Sequence, residues 1–167
     1  MGGVKLNIRD EAELRLAFDT VMDNCRKNAP DAKLEGVLLK PMLKAGVEMI
    51  IGVNNDKDFG PMIMVGMGGV FVELFKDVQL APAPLTREQA KKMLESLNSY
   101  PLLNGYRGNP VCDKEALADM LVSISEMAAK GKDSIKELDI NPVFVTEEGV
   151  AIADALLAVS YTHLTLP

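Results

Sequence analysis

The stretch Glu137-Leu138-Asp139-Ile140-Asn141-Pro142 decides how this chain is read. It places an acid and an amide two residues apart in an apolar run that reads as a strand. Side chains at i and i+2 of a strand share a face, so Glu137, Asp139 and Asn141 point one way. Leu138 and Ile140 turn the other way, into a core. The chain then turns through Thr146-Glu147-Glu148-Gly149 and returns as Val150-Ala151-Ile152-Ala153-Asp154. If the turn is centred between Glu147 and Glu148, Asn141 falls directly opposite Asp154. Three oxygen-bearing side chains then converge on one spot. Hard oxygen ligands in small number are what Mg²⁺ takes when phosphates fill its remaining positions. The competing reading is a solvated strand face left through Asn-Pro, and a register slip of one residue would separate the three groups.

Composition narrows the rest. A chain of 167 residues suffices for one domain, or for one lobe of a larger one. Its 48% hydrophobic and 25% charged residues are ordinary for a soluble globular protein. The net charge of -6 and the lack of any basic run argue against nucleic acid as a partner. Trp is absent and aromatic residues make up 5%, so no stacking platform for bases is evident. Cys25 and Cys112 stand alone, outside any metal-ligand spacing, and suit a reduced, cytoplasmic protein. Neither a signal peptide nor a membrane-crossing apolar run is present, so no membrane partner is expected.

Outward from the opening stretch, hairpins alternate with helices, and no βαβ rhythm dominates. The fold class is α+β, a mainly antiparallel sheet with helices 10–28, 86–97 and 113–130 packed on one face. Asp10 with Glu13, Thr86 with Gln89, and Asp113 supply the three helix starts. Leu117, Met120, Leu121, Ile124 and Met127 form the inward stripe of the last helix. Strands are expected at 4–8, 35–42, 46–53, 62–65 and 70–75, with 35–42 pairing 46–53 through Lys44-Ala45-Gly46 and a polar loop over 54–61. Gly66-Met67-Gly68-Gly69 joins two apolar runs, where glycine lets backbone N–H groups approach an anion closely. A tight hairpin is the alternative. No helix start follows these glycines, so a P-loop or dinucleotide fingerprint is excluded. Both ends look cut: Met1-Gly2-Gly3 leads straight into a strand, and residues 159–167 read as a non-native tail. The sole histidine, His163, lies in that tail and is given no role.

Taken in order, Asp58-Phe-Gly-Pro61, Gly66-Met-Gly-Gly69 with Val72-Glu73 and Lys76-Asp77, Gly105-Tyr-Arg-Gly108 and Glu137-Leu-Asp-Ile-Asn-Pro142 form a set. This set resembles the ATP-grasp domain of NDP-forming acyl-CoA synthetases, relatives of the succinyl-CoA synthetase β subunit. The resemblance covers residues 1–158, as the C-terminal part of such a domain. It implies an acid–thiol ligase that couples acyl-CoA to nucleotide phosphate through a phosphohistidine, using ATP/ADP or GTP/GDP. It further implies Mg²⁺ on Asp139, Asn141 and Asp154. Leu39, Lys40 and Met42 look like the segment whose backbone meets adenine, and Glu48 matches an acidic position on the next strand. Gly66, Gly68 and Gly69 are the remaining nucleotide-binding candidates, and Arg107, a planar fork suited to phosphate, is the catalytic one. Lys40-Pro41 departs from the Gln-Glu of many relatives, and Pro41 has no N–H to offer.

The same resemblance implies partners: an N-terminal ATP-grasp lobe, a CoA-binding and ligase domain or subunit, and a small carboxylic acid as substrate. CoA would be bound through that missing domain, and the fragment alone is expected to be inactive. The alternatives are a non-catalytic nucleotide-binding or assembly module, and part of a protein lysine acetyltransferase that shares the domain.

Overall fold

The computed structural model describes residues 2–69 and 76–160 and divides into two units, Met1–Met42 and Leu43–Pro167. The first unit is built on α1 (Glu11–Asn28). Asp10 caps it, its carboxylate accepting the Glu13 N–H at 2.8 Å. The Glu13 carboxylate reaches back to the N–H of Arg9 at 2.9 Å, one residue beyond a regular capping box. Asn24 donates to the carbonyl of Gly2 at 3.0 Å and so holds the start of the chain against the helix.

Neither expected strand of this unit forms: residues 4–8 and 35–42 make no ladder among the described residues. Leu38 and Leu39 are 81% and 62% exposed rather than core. An apolar run records a preference for burial, but a strand also needs a neighbouring edge for its N–H and C=O groups. That edge is absent from the described part of this unit.

The second unit is a six-stranded sheet with every pair antiparallel. Its strands are β1 (Val47–Asp56), β2 (Gly60–Met67), β3 (Val78–Pro82), β4 (Ile135–Thr146), β5 (Gly149–Ile152) and β6 (Ala155–Val159). They run in the order β3-β2-β1-β4-β5, with β6 also paired to β4. Between β3 and β4 come α2 (Arg87–Glu95), the single turn α3 (Tyr100–Leu103), a 3₁₀ turn at Tyr106–Gly108, and α4 (Lys114–Lys130). Ile51, Ile63 and Val65 of the sheet share one buried core with Leu94 of α2 and Leu117 and Leu121 of α4. The α+β class and antiparallel sheet are therefore as the sequence indicates. No helix among the described residues is long and apolar enough to cross a membrane.

Several boundaries differ from the sequence reading. Residues 54–61 are not a polar loop: β1 runs to Asp56 and β2 begins at Gly60. Asp56 Oδ1 accepts the N–H groups of Asp58 at 2.8 Å and Phe59 at 3.0 Å, closing a tight hairpin. β1 therefore takes β2 and β4 as partners, not residues 35–42. The strand expected at 70–75 lies outside the described residues, while β3 was not anticipated. In α4, Met127 is 41% exposed, and the buried stripe is completed by Ala118, Ser125 and Ala128. Ser125 is tolerated there because its hydroxyl accepts the Leu85 N–H at 2.9 Å and donates to the Val122 carbonyl at 2.7 Å. Val159 pairs with Ile135, so it belongs to the sheet; residues 161–167, His163 among them, lie outside the described residues.

Asp77, just ahead of β3, is a buried acid at 7% exposure. Its carboxylate accepts the N–H groups of Asn98 at 2.8 Å and Ser99 at 2.7 Å, and the Asn98 amide at 3.2 Å. Burial works to raise its pKa, but the hydrogen bonds from Ser99 and Asn98 outweigh it and hold the carboxyl below its usual value. A depressed native pKa stabilises the fold above the unfolded value and is lost as pH falls through the native one. Asp77→Asn should therefore cost about 2 kcal/mol at neutral pH. It should also flatten the loss of stability below about pH 4. Chemical denaturation of both proteins across that range checks this.

Candidate metal and nucleotide site

β4 is the strand that positions the acids. Towards β5 and β6 its register runs Thr146–Gly149, Val145–Val150, Phe144–Ala151 and Val143–Ile152, then Ile140–Ala155 and Asp139–Leu156. Between these, the Asn141 N–H donates to the Asp154 carbonyl at 3.2 Å, so Asn141 does stand opposite Asp154. The ion pairs of Lys44 with Glu147 at 2.7 Å and Glu148 at 2.9 Å hold the turn that sets this register.

Towards β1 the register breaks: Met49 faces Val143 and Ile51 faces Ile140, so Ile50 alone spans Asn141 and Pro142. This is a β-bulge, two residues against one. It keeps Leu138, Ile140, Val143 and Val145 all buried while Glu137, Asp139 and Asn141 take the face away from the helices. Directly opposite residues of an antiparallel pair share a face, which puts Asp154 on that side too. Across β1, Asp139 faces Gly52, over which the Met64 side chain lies, 3.1 Å from where a Cβ would stand.

Asp139 Oδ1 is buried and has no hydrogen-bond partner among the described residues. A buried carboxylate oxygen without a donor is costly, and a cation is one means of satisfying it. Among the described residues no three acidic, cysteine or histidine side chains gather tightly enough to hold an ion by themselves. An ion at this place would take the amide oxygen of Asn141 as one ligand.

The glycine segment and Glu48 meet at a second place, at the start of β1. Glu48, Gly68 and Gly69 line a cavity of about 440 Å³ with Val47, Leu102 and Asn109. Gly68 crosses directly over Glu48, its N–H donating to the Glu48 carbonyl at 2.7 Å. A Cβ on Gly68 would stand 2.9 Å from that backbone, and Gly69, at φ 69°, leaves 3.0 Å to the Glu48 carboxylate. Glycine is thus required for close approach of two chains, and the Gly68 N–H is not free for an anion. Gly66 is not in a loop at all: it lies within β2, paired to Ile50 and Val78.

Arg107 is exposed in a left-handed turn, φ 55° and ψ 33°, with its guanidinium 5.5 Å from the Tyr106 ring centroid. It does not line the Glu48 cavity, whereas Asn109, two residues on, does. Sequence reasoning missed Asn109; its place beside the glycine-bracketed Arg107 was the available signal. In the first unit, Leu39, Lys40 and Met42 line a separate cavity of about 590 Å³ with Asn7, Arg9 and Leu14. Cys112 is buried, which raises its thiol pKa, and its Sγ donates to the Val145 carbonyl at 3.4 Å; it is a core residue.

The ATP-grasp domain family matches residues 1–159. The β subunit of ADP-forming acetate–CoA ligase I of Pyrococcus furiosus is 46% identical over 154 residues, covering 92% of this chain and 66% of that subunit. The chain thus spans just under two thirds of that relative's length. Among solved structures, Ca. Korarchaeum cryptofilum dinucleotide-forming acetyl-coenzyme A synthetase 1 in complex with coenzyme A, Ca-AMPCP and HgCl⁺ matches at 40% identity. Its TM-score is 0.87, over 95% of this chain and 69% of that one. The same synthetase with coenzyme A and Mg-AMPPCP, its phosphohistidine segment pointing towards the nucleotide binding site, gives a TM-score of 0.84. That match has 37% identity over 95% and 68% of the two chains.

An unsatisfied buried oxygen also makes a stability statement. Asp139→Ala should leave the metal-free domain within about 1 kcal/mol of wild type, or make it slightly more stable. Ile51→Ala, on the neighbouring strand but in the core, should cost about 2–5 kcal/mol. Urea titrations of both variants without divalent cations measure the contrast.

Proposed function

The chain belongs to the ATP-grasp domain family, and from that premise we propose that it is the nucleotide- and Mg²⁺-binding lobe of an ADP-forming acyl-CoA synthetase of the acetate–CoA ligase kind. The observation that carries this reading is the buried Oδ1 of Asp139, without a hydrogen-bond partner among the described residues, beside the Asn141–Asp154 pair. That donor set, two carboxylates and an amide oxygen, fits a hard divalent cation that keeps several positions for phosphate and water. Asp139, Asn141 and Asp154 would hold it. When bound, it would neutralise charge on the nucleotide phosphates.

The chain's own residues divide the remaining work. Glu48, Gly68 and Gly69 offer the nucleotide a walled cavity in the second unit. In the first unit, Leu39, Lys40 and Met42 line a cavity of their own, where Pro41 has no N–H to offer. Gly66 supports the glycine segment from within β2, and Arg107 would bring its planar fork to a phosphate. The acceptor histidine, the second nucleotide-binding lobe and the CoA-binding domain would come from elsewhere in a cytoplasmic enzyme, because the relatives are longer than this chain. Phosphoryl transfer requires an acceptor held in line with the donor, so this lobe by itself would not turn over.

Turnover in the complete enzyme separates this reading from a solvated acidic face. Asp139→Asn and Asp154→Asn should each reduce Mg-ATP-dependent acyl-CoA formation by at least about tenfold. Each should change folding stability by no more than about 1 kcal/mol. Titration of Mn²⁺ in the presence of ADP should show weaker metal binding in both. Unchanged turnover and unchanged Mn²⁺ affinity would leave these residues as strand surface.

A further inference from the structure

The Glu48 cavity has two walls from distant parts of the chain. One is the start of β1 with Met67, Gly68 and Gly69; the other is Leu102 of α3 with Asn109. Asp77 touches the supports of both. Its backbone carbonyl accepts the Met67 N–H at 3.2 Å, at the point where β2 hands over to the glycines. Its carboxylate takes the N–H groups of Asn98 and Ser99 at 2.8 and 2.7 Å. Ser99 is the N-cap of α3, but its own side chain makes no capping bond. The Asp77 carboxylate, from the residue just ahead of β3, takes the N–H of that N-cap residue and of the one before it. From Ser99 the connection continues: the Leu102 N–H donates to the Ser99 carbonyl at 2.9 Å, and the Cys112 N–H to the Leu103 carbonyl at 3.0 Å. These bonds bracket the Gly105–Gly108 turn and Asn109.

We propose that Asp77 is a positioning residue: it sets the spacing between the glycine wall and the α3 wall of the Glu48 cavity, and through that spacing the fit of the nucleotide. This rests on the reading of that cavity as part of the nucleotide site. Two features set Asp77 apart from an ordinary core polar group. It is an acid at 7% exposure, and each of its three side-chain bonds goes to the Asn98–Ser99 step at the entry to α3. A neutral fold-stabilising contact would not need a charge there. A contact that must hold one backbone step against strain from ligand entry gains from charge-assisted bonds, which are shorter and stronger. Gln79 supplies an internal comparison. Its amide ties β3 to the carbonyl of Ser96 at 3.1 Å, close by but outside the cavity.

The test uses the complete enzyme and compares Asp77→Asn, Asp77→Glu and Gln79→Ala, each assayed well below its own melting temperature. Asp77→Asn should raise the KM for nucleotide about tenfold or more, with kcat within about twofold, since a shift near 1 Å in a binding wall has effects of this order. Asp77→Glu keeps the charge on a longer stem and should give a smaller rise of the same kind. Gln79→Ala should leave both constants unchanged. Amide hydrogen exchange supplies the readout that a merely local role would not move. In Asp77→Asn, protection should fall at Gly68 and Leu102 as well as at Asn98 and Ser99. A lower melting temperature with unchanged KM, or loss of protection confined to Asn98 and Ser99, would overturn the proposal. If Asp77→Asn does not fold, the KM and exchange pattern of Asp77→Glu decide in the same way. Failure of wild type itself to bind ADP or ATP would refute the nucleotide reading on which the proposal rests.

Discussion

The bulge at Asn141–Pro142 is the constraint on which the rest of the second unit depends. β4 borders β1 on one edge and both β5 and β6 on the other, so any change in its phase is felt across the sheet. Strict alternation from Leu138 and Ile140 would bury Pro142 and Phe144 and expose Val143 and Val145. Instead Val143 and Val145 are fully buried, at 0% exposure. One extra residue reconciles the two halves: the apolar side chains on both sides of it enter one core. On the other edge the register set by the turn leaves Asn141 beside Asp154, at the point where the β4 ladder changes partner from β5 to β6.

Two half-hidden carboxylates show how differently the fold treats charge. Asp77 is surrounded by donors, and its three hydrogen bonds outweigh the cost of burial. Asp139 has a buried oxygen with none among the described residues. Carboxylates of the first kind hold a structure together, because removing the charge leaves donors without acceptors. Those of the second kind are a cost to the empty fold, and they persist where a ligand repays it. The contrast is visible only in three dimensions. In the sequence, Lys76-Asp77 and Leu138-Asp139 look alike, each a single acid beside an apolar run.

Local signals were the legible ones. Asp10, Thr86 and Asp113 each cap the helix their sequence context indicated. The turn at Glu147-Glu148 fixes a register that the four-residue loop length alone was enough to deduce. What failed were several strand assignments that needed a distant edge. Val37-Leu38-Leu39 reads as a strand but is exposed and unpaired in its own unit. β3 escaped notice because a five-residue alternation ending in Pro82 looks like a strand exit. Gly66 looked like a loop residue because two glycines follow it closely, yet it closes a ladder between β1 and β3. At the site, the alternation of Asp139 and Asn141 and the pairing of Asn141 with Asp154 were legible. The cavity between Gly69 and Asn109 was not, since forty residues separate its walls in sequence.

That cavity also corrects what the glycines are for. A glycine-rich segment invites the idea of backbone N–H groups turned towards phosphate, but here the Gly68 N–H is spent on the Glu48 carbonyl. Close approach of two strands is the reason for glycine at this point, and the outcome is a wall whose one charged side chain among the described residues is Glu48. A carboxylate in that place repels phosphate and attracts hydrogen-bond donors. Within the nucleotide reading, the cavity then suits an uncharged, donor-bearing part of the ligand. Its phosphates would belong with a cation at Asp139 and Asp154. Separating those two kinds of recognition would let an acidic lobe, in a chain of net charge -6, take an anion.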